Sequence, residues 1–475
     1  MLFNSIEFLF FYVIVTLLYF LLPFKGRWLV LLLASCYFYM AFVPKYILIL
    51  FFTIIIDYFA GIYIEKSAGK ARKLLLICSL VANIGILAFF KYFNFLNENL
   101  TLLLSEGGWS NPIPFVKFIL PIGLSFHTFQ AMSYTIEVYR GNQKAERHFG
   151  IYSLYVMFYP QLVAGPIERP QNILHQMHIK HAFSYENMIA GGRLMLWGFF
   201  KKLVVADRLS VYVDSVYSNP ELHNGSSVIV ASVFFAVQIY CDFSGYTDIA
   251  IGCAKTMGFD LMLNFRRPYF STSVPEFWSK WHISLSTWFR DYLFIPLGGS
   301  RGTKFLRFRN IFIVFMVSGL WHGASWTFIV WGALHGVYQV ITLLIKPHGI
   351  KLEERLGISK SKVLYVGKML LTFVIVTFAW IFFRANTMKD AITLIKDLKT
   401  TGAAPFLGNG INQFAHSILA IVLLFVAEWC MEYKPDFSLY RHKYAWVRWG
   451  SVVATLFIIL LFGVFNGGQF IYFQF

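Results

Sequence analysis

The sequence is poor in charged residues and in the residues that build disulfides or metal sites. Only 14% of its 475 residues are Asp, Glu, Lys or Arg, whereas about a quarter of a soluble domain is charged. Hydrophobic residues make up 57% and aromatic residues 19% of the chain, and the mean hydropathy is +0.60. This composition excludes an ordinary soluble protein and predicts a polytopic membrane protein.

The five cysteines form no recognisable metal or redox motif. They are Cys36, Cys78, Cys241, Cys253 and Cys430, all in or beside apolar segments, and the absence of Cys-x-x-Cys spacing predicts that they are packing residues. The net charge of +17, from 41 basic and 24 acidic residues, is explained by cytoplasmic loops and anionic lipid headgroups. The sequence therefore predicts no metal, no permanently bound cofactor and no nucleic-acid partner.

Apolar stretches of about 20 residues, enough to cross a bilayer as a helix, recur along the whole chain. They lie near 5–23, 27–43, 45–64, 74–93, 118–139, 187–206, 227–254, 325–345, 364–384, 413–432 and 446–467. Residues 149–165 are too short and suit a re-entrant or interfacial element, and residues 310–321 are ambiguous. The predicted fold is all-α, with about 11–12 transmembrane helices and a first span that is retained.

Basic residues concentrate in alternate connections between these spans, as the positive-inside rule requires of cytoplasmic loops. Lys25 and Arg27 begin this series, whereas the loop 94–117 carries two acids against one lysine. Both termini lie outside if 310–321 crosses the membrane. The pair Lys201–Lys202 falls near an end assigned to the outside and does not fit. No soluble segment interrupts the chain, so 1–475 is predicted to be a single membrane-embedded domain.

One histidine lies within a very apolar stretch. His322 belongs to the segment Leu320-Trp-His-Gly-Ala-Ser-Trp326, with apolar residues on both sides. An ionisable side chain at bilayer depth is costly and usually lines a cavity or a pathway, and histidine suits proton transfer near neutral pH. His322 is therefore the first candidate for chemistry, and a merely packed histidine is the alternative.

The segment 273–292 has the pattern of an amphipathic helix. Ser273 and Glu276 match a capping box, and six apolar residues then recur at spacings of three and four: Val274, Phe277, Trp281, Leu285, Trp288 and Tyr292. Such a Trp-rich helix lies in or just below the membrane interface. His282 sits beside the stripe and could point into the protein, although an incidental position in an interfacial helix is also consistent. It is a better partner for His322 than His335, which would lie more than half a turn away on a shared helix.

Polar residues also interrupt the span 227–254. The segment 238–248 contains Asp242, Asp248, several hydroxyls and a glycine, and at membrane depth these groups must face protein or water. A proton pathway and a structural hydrogen-bond network are both consistent with the pattern. Arg266 and Arg267 follow on the predicted cytoplasmic side. Paired arginines suit phosphate binding, but the positive-inside bias alone also explains them.

Several long motifs resemble those of the membrane-bound O-acyltransferases. They are Trp321-His-Gly-Ala-Ser-Trp326, Phe277-Trp-Ser-Lys-Trp-His282, Trp288-Phe-Arg-Asp-Tyr-Leu-Phe-Ile-Pro-Leu-Gly-Gly-Ser300, Ala164-Gly-Pro-Ile-Glu-Arg-Pro170, residues 120–137, 240–248 and 467–475. The likeness spans essentially the whole chain, except for 385–412. It is greatest to the branch that O-acetylates polysaccharides such as alginate, and the teichoic acid D-alanyl transferases are similar.

The resemblance implies a central funnel of helices in a bacterial inner membrane, a cytoplasmic acyl donor (acetyl-CoA), and an acceptor outside. In this branch the acyl group passes to an extracytoplasmic partner protein that modifies a polysaccharide. The family's catalytic histidine corresponds to His322 and its second histidine to His282. Substrate binding is expected at Arg266, Arg267, Lys280, Arg290, Trp321, Trp326 and Asp242. The basic members of that set would contact the donor's phosphates.

Two other classes of function remain open at this point. A transporter or flippase for an acyl carrier or lipid would also place polar residues at membrane depth, but it predicts paired half-helices in two repeats, and the sequence has no such symmetry. A non-catalytic partner subunit is the third interpretation. Transfer of another acyl group, such as D-alanyl, to a cell-wall polymer is the nearest enzymatic alternative.

Overall fold

The computed structural model describes residues 1–117, 120–400, 402–434, 439–465 and 470–471, and within these ranges the regular structure is helical. The α-helices are α1 (Ile6–Leu21), α2 (Phe24–Met40), α3 (Ile47–Lys66), α4 (Gly69–Glu106), α5 (Leu124–Arg140), α6 (Phe149–Met157), α7 (Tyr159–Leu162), α8 (Pro170–Met177), α9 (Tyr185–Phe199), α10 (Asp207–Ser218), α11 (Gly225–Thr256), α12 (Val274–Lys280), α13 (Ile283–Phe289), α14 (Lys304–His322), α15 (Trp326–Arg355), α16 (Lys362–Arg384), α17 (Met388–Asp397), α18 (Ile411–Tyr433) and α19 (Ala445–Phe462). Wider π-helical turns occupy Phe200–Ala206 and Arg290–Phe294.

Seven helices in the described ranges are long and apolar enough to cross a membrane. They are Pro44–Lys66, Gly69–Glu106, Gly225–Thr256, Trp326–Arg355, Lys362–Arg384, Ile411–Tyr433 and Ala445–Phe462, and Ile6–Leu21 is a shorter apolar helix. The prediction of an all-helical, multi-pass membrane protein is confirmed. Every predicted span holds a helix over most of its length, although residues 118–119 and 466–467 lie outside the described ranges. The number of crossings stays a prediction.

The chain divides into two compact units. The first comprises Met1–Met195 and Tyr246–Met262, and the second comprises Leu196–Gly245 and Leu263–Phe475. In the first unit the ambiguous stretch 149–165 folds into the two short helices α6 and α7, and their side chains are almost all buried. This agrees with the expectation that it is too short for a crossing. The assignment of 1–475 to a single domain stays a prediction.

Helices α14 and α15 form a closely packed hairpin in the second unit. A Cβ atom on Gly319 would lie 2.4 Å from the main-chain oxygen of Phe328, and one on Gly332 would lie 2.4 Å from that of Phe315. Glycine is therefore required at both positions, because small residues let two membrane helices approach backbone to backbone. This hairpin carries His322 at its turn.

Candidate functional site

His322 is the last residue of α14, and the turn after it fixes its position. Gly323 ends the helix in an extended conformation, with its N–H donating to the Gly319 carbonyl at 3.3 Å. A Cβ on Gly323 would stand 2.1 Å from the Phe328 ring, so the turn has no room for a larger residue. Ser325 then caps α15 by accepting a hydrogen bond from the Thr327 N–H at 3.3 Å. The motif around His322 is thus a tight helix–turn–helix.

Aromatic rings surround the His322 imidazole, which is only 4% exposed. Its ring centroid lies 4.9 Å from Trp321, 5.0 Å from Trp331 and 5.3 Å from Phe383, in each case edge to face. Edge-to-face packing at these distances is a favourable geometry for aromatic pairs. The imidazole is therefore fixed in orientation by three apolar neighbours from α14, α15 and α16.

His282 is also buried, with 0% exposure, but not in the helix that the periodicity predicts. The backbone at His282 is left-handed (φ 44°, ψ 55°) and separates α12 from α13, so the prediction of one amphipathic helix over 273–292 is wrong. Ser273 does cap α12, although the Glu276 carboxylate accepts its hydrogen bonds from Thr272.

The break at His282 has a tertiary cause. Asn264 accepts hydrogen bonds from the start of α13: its main-chain oxygen from the Ile283 N–H at 2.9 Å, and its side-chain oxygen from the Ser284 hydroxyl at 2.6 Å. These contacts replace the helical hydrogen bonds that would have continued α12. A left-handed non-glycine residue costs about 1–3 kcal/mol and occurs preferentially at functional sites. The strain at His282 thus agrees with a functional position.

Tryptophans link the histidines of this region. The Trp321 ring lies 4.9 Å from His322 and 6.1 Å from His282. On the other side, Trp331 contacts both His322 and His335, each with centroids 5.0 Å apart. His335 accepts a hydrogen bond at Nδ1 from the Trp278 indole N–H at 3.2 Å, which places the proton of its neutral ring on Nε2. The structure therefore brings His282, Trp321 and His322 together. His335 also lies close to this group, because it packs against Trp331, which contacts His322.

Trp326 differs from Trp321 in its exposure. Trp321 is 4% exposed and belongs to the aromatic enclosure, whereas Trp326 is 53% exposed at the start of α15. The two predicted substrate-binding tryptophans thus have different surroundings, and Trp321 is the one seen to pack on the candidate catalytic ring.

Asp242 belongs to a buried ion-pair network rather than to an open pocket. Lys202 Nζ lies 2.6 Å from Asp242 Oδ1 and 2.8 Å from Asp207 Oδ1, and all three side chains are about 4% exposed. The other Asp242 oxygen accepts the Ile471 N–H at 2.7 Å. These contacts favour the structural interpretation of this polar segment.

The same network explains why Lys201–Lys202 does not fit the loop-charge pattern. Both lysines are buried in the π-helical turn; Lys202 lies between two carboxylates, and Lys201 donates to the Ser244 hydroxyl at 2.9 Å. They are therefore not loop cations of the kind that the positive-inside rule counts. Sequence reasoning missed the pairing of Lys202 because Asp242 lies on another helix and Asp207, five residues along, comes within reach through the π-helical turn.

The predicted donor-binding cations form two groups. Arg267 and Lys280 both contact the Glu432 carboxylate, at 2.5 Å and 3.4 Å, and Lys280 also pairs with Glu276 at 2.9 Å. Arg266 is exposed next to them, its N–H donating to the Lys280 carbonyl at 3.0 Å. The structure thus brings three predicted residues together, but carboxylates already neutralise two of them.

Arg290 is the second group and lines a cavity of about 370 Å³. Its guanidinium pairs at 2.8 Å with Asp291 and remains mostly exposed. Other lining residues are Trp278, Phe315, Ser318 and Gln339, and the Trp278 ring lies 5.8 Å from Trp331. The cavity is therefore separated from the enclosure of His322 by aromatic side chains of α12, α14 and α15.

A buried histidine at the turn of a closely packed helical hairpin, together with a second buried histidine whose backbone is left-handed and a cavity with a cation on its wall, agrees with one class of protein: a membrane-embedded group-transfer enzyme. The family model for the membrane-bound O-acyltransferases matches residues 74–351. The chain belongs to this family and is an acyltransferase.

Three relatives of this chain have different acceptors or acyl groups in their names. The chain is 37% identical to a probable alginate O-acetylase of Pseudomonas aeruginosa, over 82% of this chain and 73% of that one. It is 32% identical to a peptidoglycan O-acetyltransferase of Helicobacter pylori, over 95% and 92%. It is 28% identical to a teichoic acid D-alanyltransferase of Bacillus subtilis, over 46% and 57%.

Proposed function

We propose that this protein is an O-acetyltransferase of a bacterial inner membrane that takes an acetyl group from cytoplasmic acetyl-CoA and passes it outward. The acetyl group would reach an extracytoplasmic partner protein and, through it, a polysaccharide such as alginate. The names of the alginate and peptidoglycan relatives support acetyl as the acyl group. The observation that carries the proposal is the burial of His322, held by three rings at the turn of a membrane hairpin.

In the proposed reaction His322 is the general base. The acceptor hydroxyl oxygen attacks the carbonyl carbon of the thioester while its proton moves to the imidazole, and the C–S bond then breaks. The imidazolium then gives this proton to the departing thiolate and returns to its neutral form, so atoms and charge balance. A positioned histidine supplies about 10²–10⁴-fold in such a step. The alternative, an acyl group carried briefly on the His322 nitrogen, differs in forming a covalent intermediate.

His282 would act as a positioning residue. Trp321 of α14 connects the two histidines, because its ring packs against both His282 and His322. The left-handed backbone at His282 sets the direction of the His282 ring. The donor would enter through the cavity that Arg290 lines, and the cluster of Arg266, Arg267 and Lys280 would be a second place for its phosphates.

The test is transfer of radiolabelled acetyl from acetyl-CoA in membranes, normalised to protein level. His322→Ala is expected to reduce transfer by about two to four orders of magnitude while leaving insertion intact. His322→Gln should fare little better, because an amide cannot take up the proton. His282→Ala should lose less activity, and His335→Ala less again. Near wild-type transfer by His322→Ala would refute the assignment of the base.

The same assay separates the proposed donor from its nearest rival. The similarity to the teichoic acid D-alanyltransferase of Bacillus subtilis makes D-alanyl transfer the second candidate. A D-alanyl thioester carrier is therefore offered in parallel with acetyl-CoA. Transfer of D-alanine but not of acetyl would replace the proposed substrate, and transfer of neither by an intact protein would favour a non-catalytic role.

A further inference from the structure

A second cavity, in the first unit, has a buried cation that pairs with no carboxylate of the described residues. It measures about 300 Å³ and is bounded by the end of α1, the start of α2, and residues of α6 and α8. Arg27 lines it and is only 8% exposed. Among the residues that the structure describes, its guanidinium donates to three main-chain carbonyls: those of His181 at 2.6 Å, Leu22 at 3.2 Å and Phe20 at 3.5 Å. It also lies 4.9 Å from the centre of the Tyr19 ring.

The charge of Arg27 is thus not balanced. Within the described part of the chain, no carboxylate lies at ion-pair distance from Arg27 or from Lys25, which lines the same cavity. Removing a guanidinium from water without a counter-ion is costly. Carbonyl dipoles orient the group but leave its full positive charge in place. An anion bound in the cavity would supply the missing counter-charge.

Two histidines add to the lining on the same side. His148 accepts the Ile151 N–H at Nδ1, at 3.2 Å, so its neutral ring carries an N–H donor at Nε2. His178 is already paired with Glu146 at 2.7 Å. Lys25, Arg27 and His148 are therefore the groups of this lining that can face an anion.

The rest of the cavity is apolar, which selects the kind of anion. Its wall includes Trp28, Leu31 and Leu154, and the exposed side chains of Phe24 and Ile179 lie at its edge. The neighbouring helix α1 exposes apolar side chains along its length, as a surface against lipid tails would. A small hydrophilic anion gains nothing from such a wall, whereas an amphiphile with a phosphate at one end matches both parts.

We propose that this cavity binds the phosphate headgroup of an anionic phospholipid, recognised by Arg27 and Lys25, with the lipid's chains lying along α1 and α2. Basic residues near a membrane surface favour anionic lipids by about 1 kcal/mol each. Lys25 and Arg27 lie in the first turn of α2, at a connection that the sequence assigns to the cytoplasmic series, where the bilayer's anionic lipid would be accessible to them. The site is independent of the proposed acyl transfer.

The experiment counts bound lipid. Protein purified in detergent and stripped of lipid is titrated with phosphatidylglycerol, with phosphatidylcholine of the same chains, or with inorganic phosphate, and complexes are counted by native mass spectrometry. One phosphatidylglycerol per chain should bind saturably and more tightly than phosphatidylcholine. Inorganic phosphate should not displace it.

Variants on the surface avoid the risk that loss of Arg27 unfolds the protein. Lys25→Gln should weaken phosphatidylglycerol binding about fivefold, and Lys25→Glu more. Lys70→Gln, which neutralises an exposed lysine at the start of α4, is the matched control and should change nothing.

Four results would overturn the proposal. The first two are equal binding of the two lipids and an equal effect of the Lys25 and Lys70 variants. The third is displacement of the lipid by inorganic phosphate, which would make this a free-phosphate site. The fourth is competitive displacement by acetyl-CoA, which would assign the cavity to the acyl donor. Because the experiment measures lipid binding and not acetyl transfer, a negative result would refute the lipid site without affecting the proposed function. Likewise, failure of the proposed function would not refute the lipid site.

Discussion

Replacing Lys202 by methionine should destabilise the protein strongly. The change removes the ammonium that lies 2.6 Å from Asp242 and 2.8 Å from Asp207, and it leaves two buried carboxylates without their cation. Breaking a buried ion pair by removing one partner costs about 3–5 kcal/mol. That is a large part of a typical folding free energy of about 5–15 kcal/mol.

A matched control lies in an exposed ion pair of the same length. Lys255 and Asp260 are also 2.6 Å apart, but their side chains are 35% and 74% exposed. Surface pairs contribute about 0–1 kcal/mol, so Lys255→Met should have almost no effect. Any difference between the two lysine variants therefore measures burial rather than charge or distance.

Thermal unfolding in detergent, followed by intrinsic fluorescence, measures both variants. A triple variant that combines Lys202→Met with Asp207→Asn and Asp242→Asn should recover much of the lost stability, because neutral amides replace the unpaired charges. Equal midpoints for Lys202→Met and Lys255→Met would refute the reasoning. So would a triple variant no more stable than Lys202→Met alone.

The other predictions concern the candidate site. In thermal unfolding, His282→Gly should be more stable than His282→Ala by about 1 kcal/mol, because glycine adopts the left-handed backbone without strain. Both variants should lose acetyl transfer. Equal stability of the two variants would contradict the inference that the backbone at His282 is strained. Gly323→Ala should cost about 1–3 kcal/mol, because its Cβ would meet the Phe328 ring at 2.1 Å, whereas Gly349→Ala in the open part of α15 should be neutral or stabilising. Arg290→Gln should raise the apparent KM for acetyl-CoA by about three- to tenfold with kcat unchanged, and an unchanged KM would remove it from the donor route.

The spans and the position of His322 could be predicted because they depend on local sequence. Hydropathy over about 20 residues decides whether a segment enters the membrane, and an ionisable residue inside such a segment stands out. The end of α14 at His322, with Gly323 as its C-cap, was not predicted from the sequence. The long apolar helices and the buried histidine thus follow from composition and position alone.

The break at His282 could not be predicted because its cause lies elsewhere in the chain. Apolar residues at spacings of three and four fit a continuous helix, and the hydrogen bonds to Asn264 that interrupt it leave no trace in that spacing. Lys202 was misplaced for a similar reason, since Asp242 is forty residues away and on another helix. The positive-inside rule counts lysines and arginines by their position in the sequence, and it takes no account of which lysines form buried ion pairs with carboxylates.

The glycine-lined contact between α14 and α15 limits how the turn that carries His322 can move. Because the two backbones touch at Gly319 and Gly332, neither helix can slide or rotate without its partner, and no intervening side chain can change rotamer to absorb the motion. His322, at the end of α14, is thus held by a rigid pair of helices as well as by the rings that pack on it. In the proposed acetyl transfer, the donor and the acceptor would therefore each travel to a stationary imidazole.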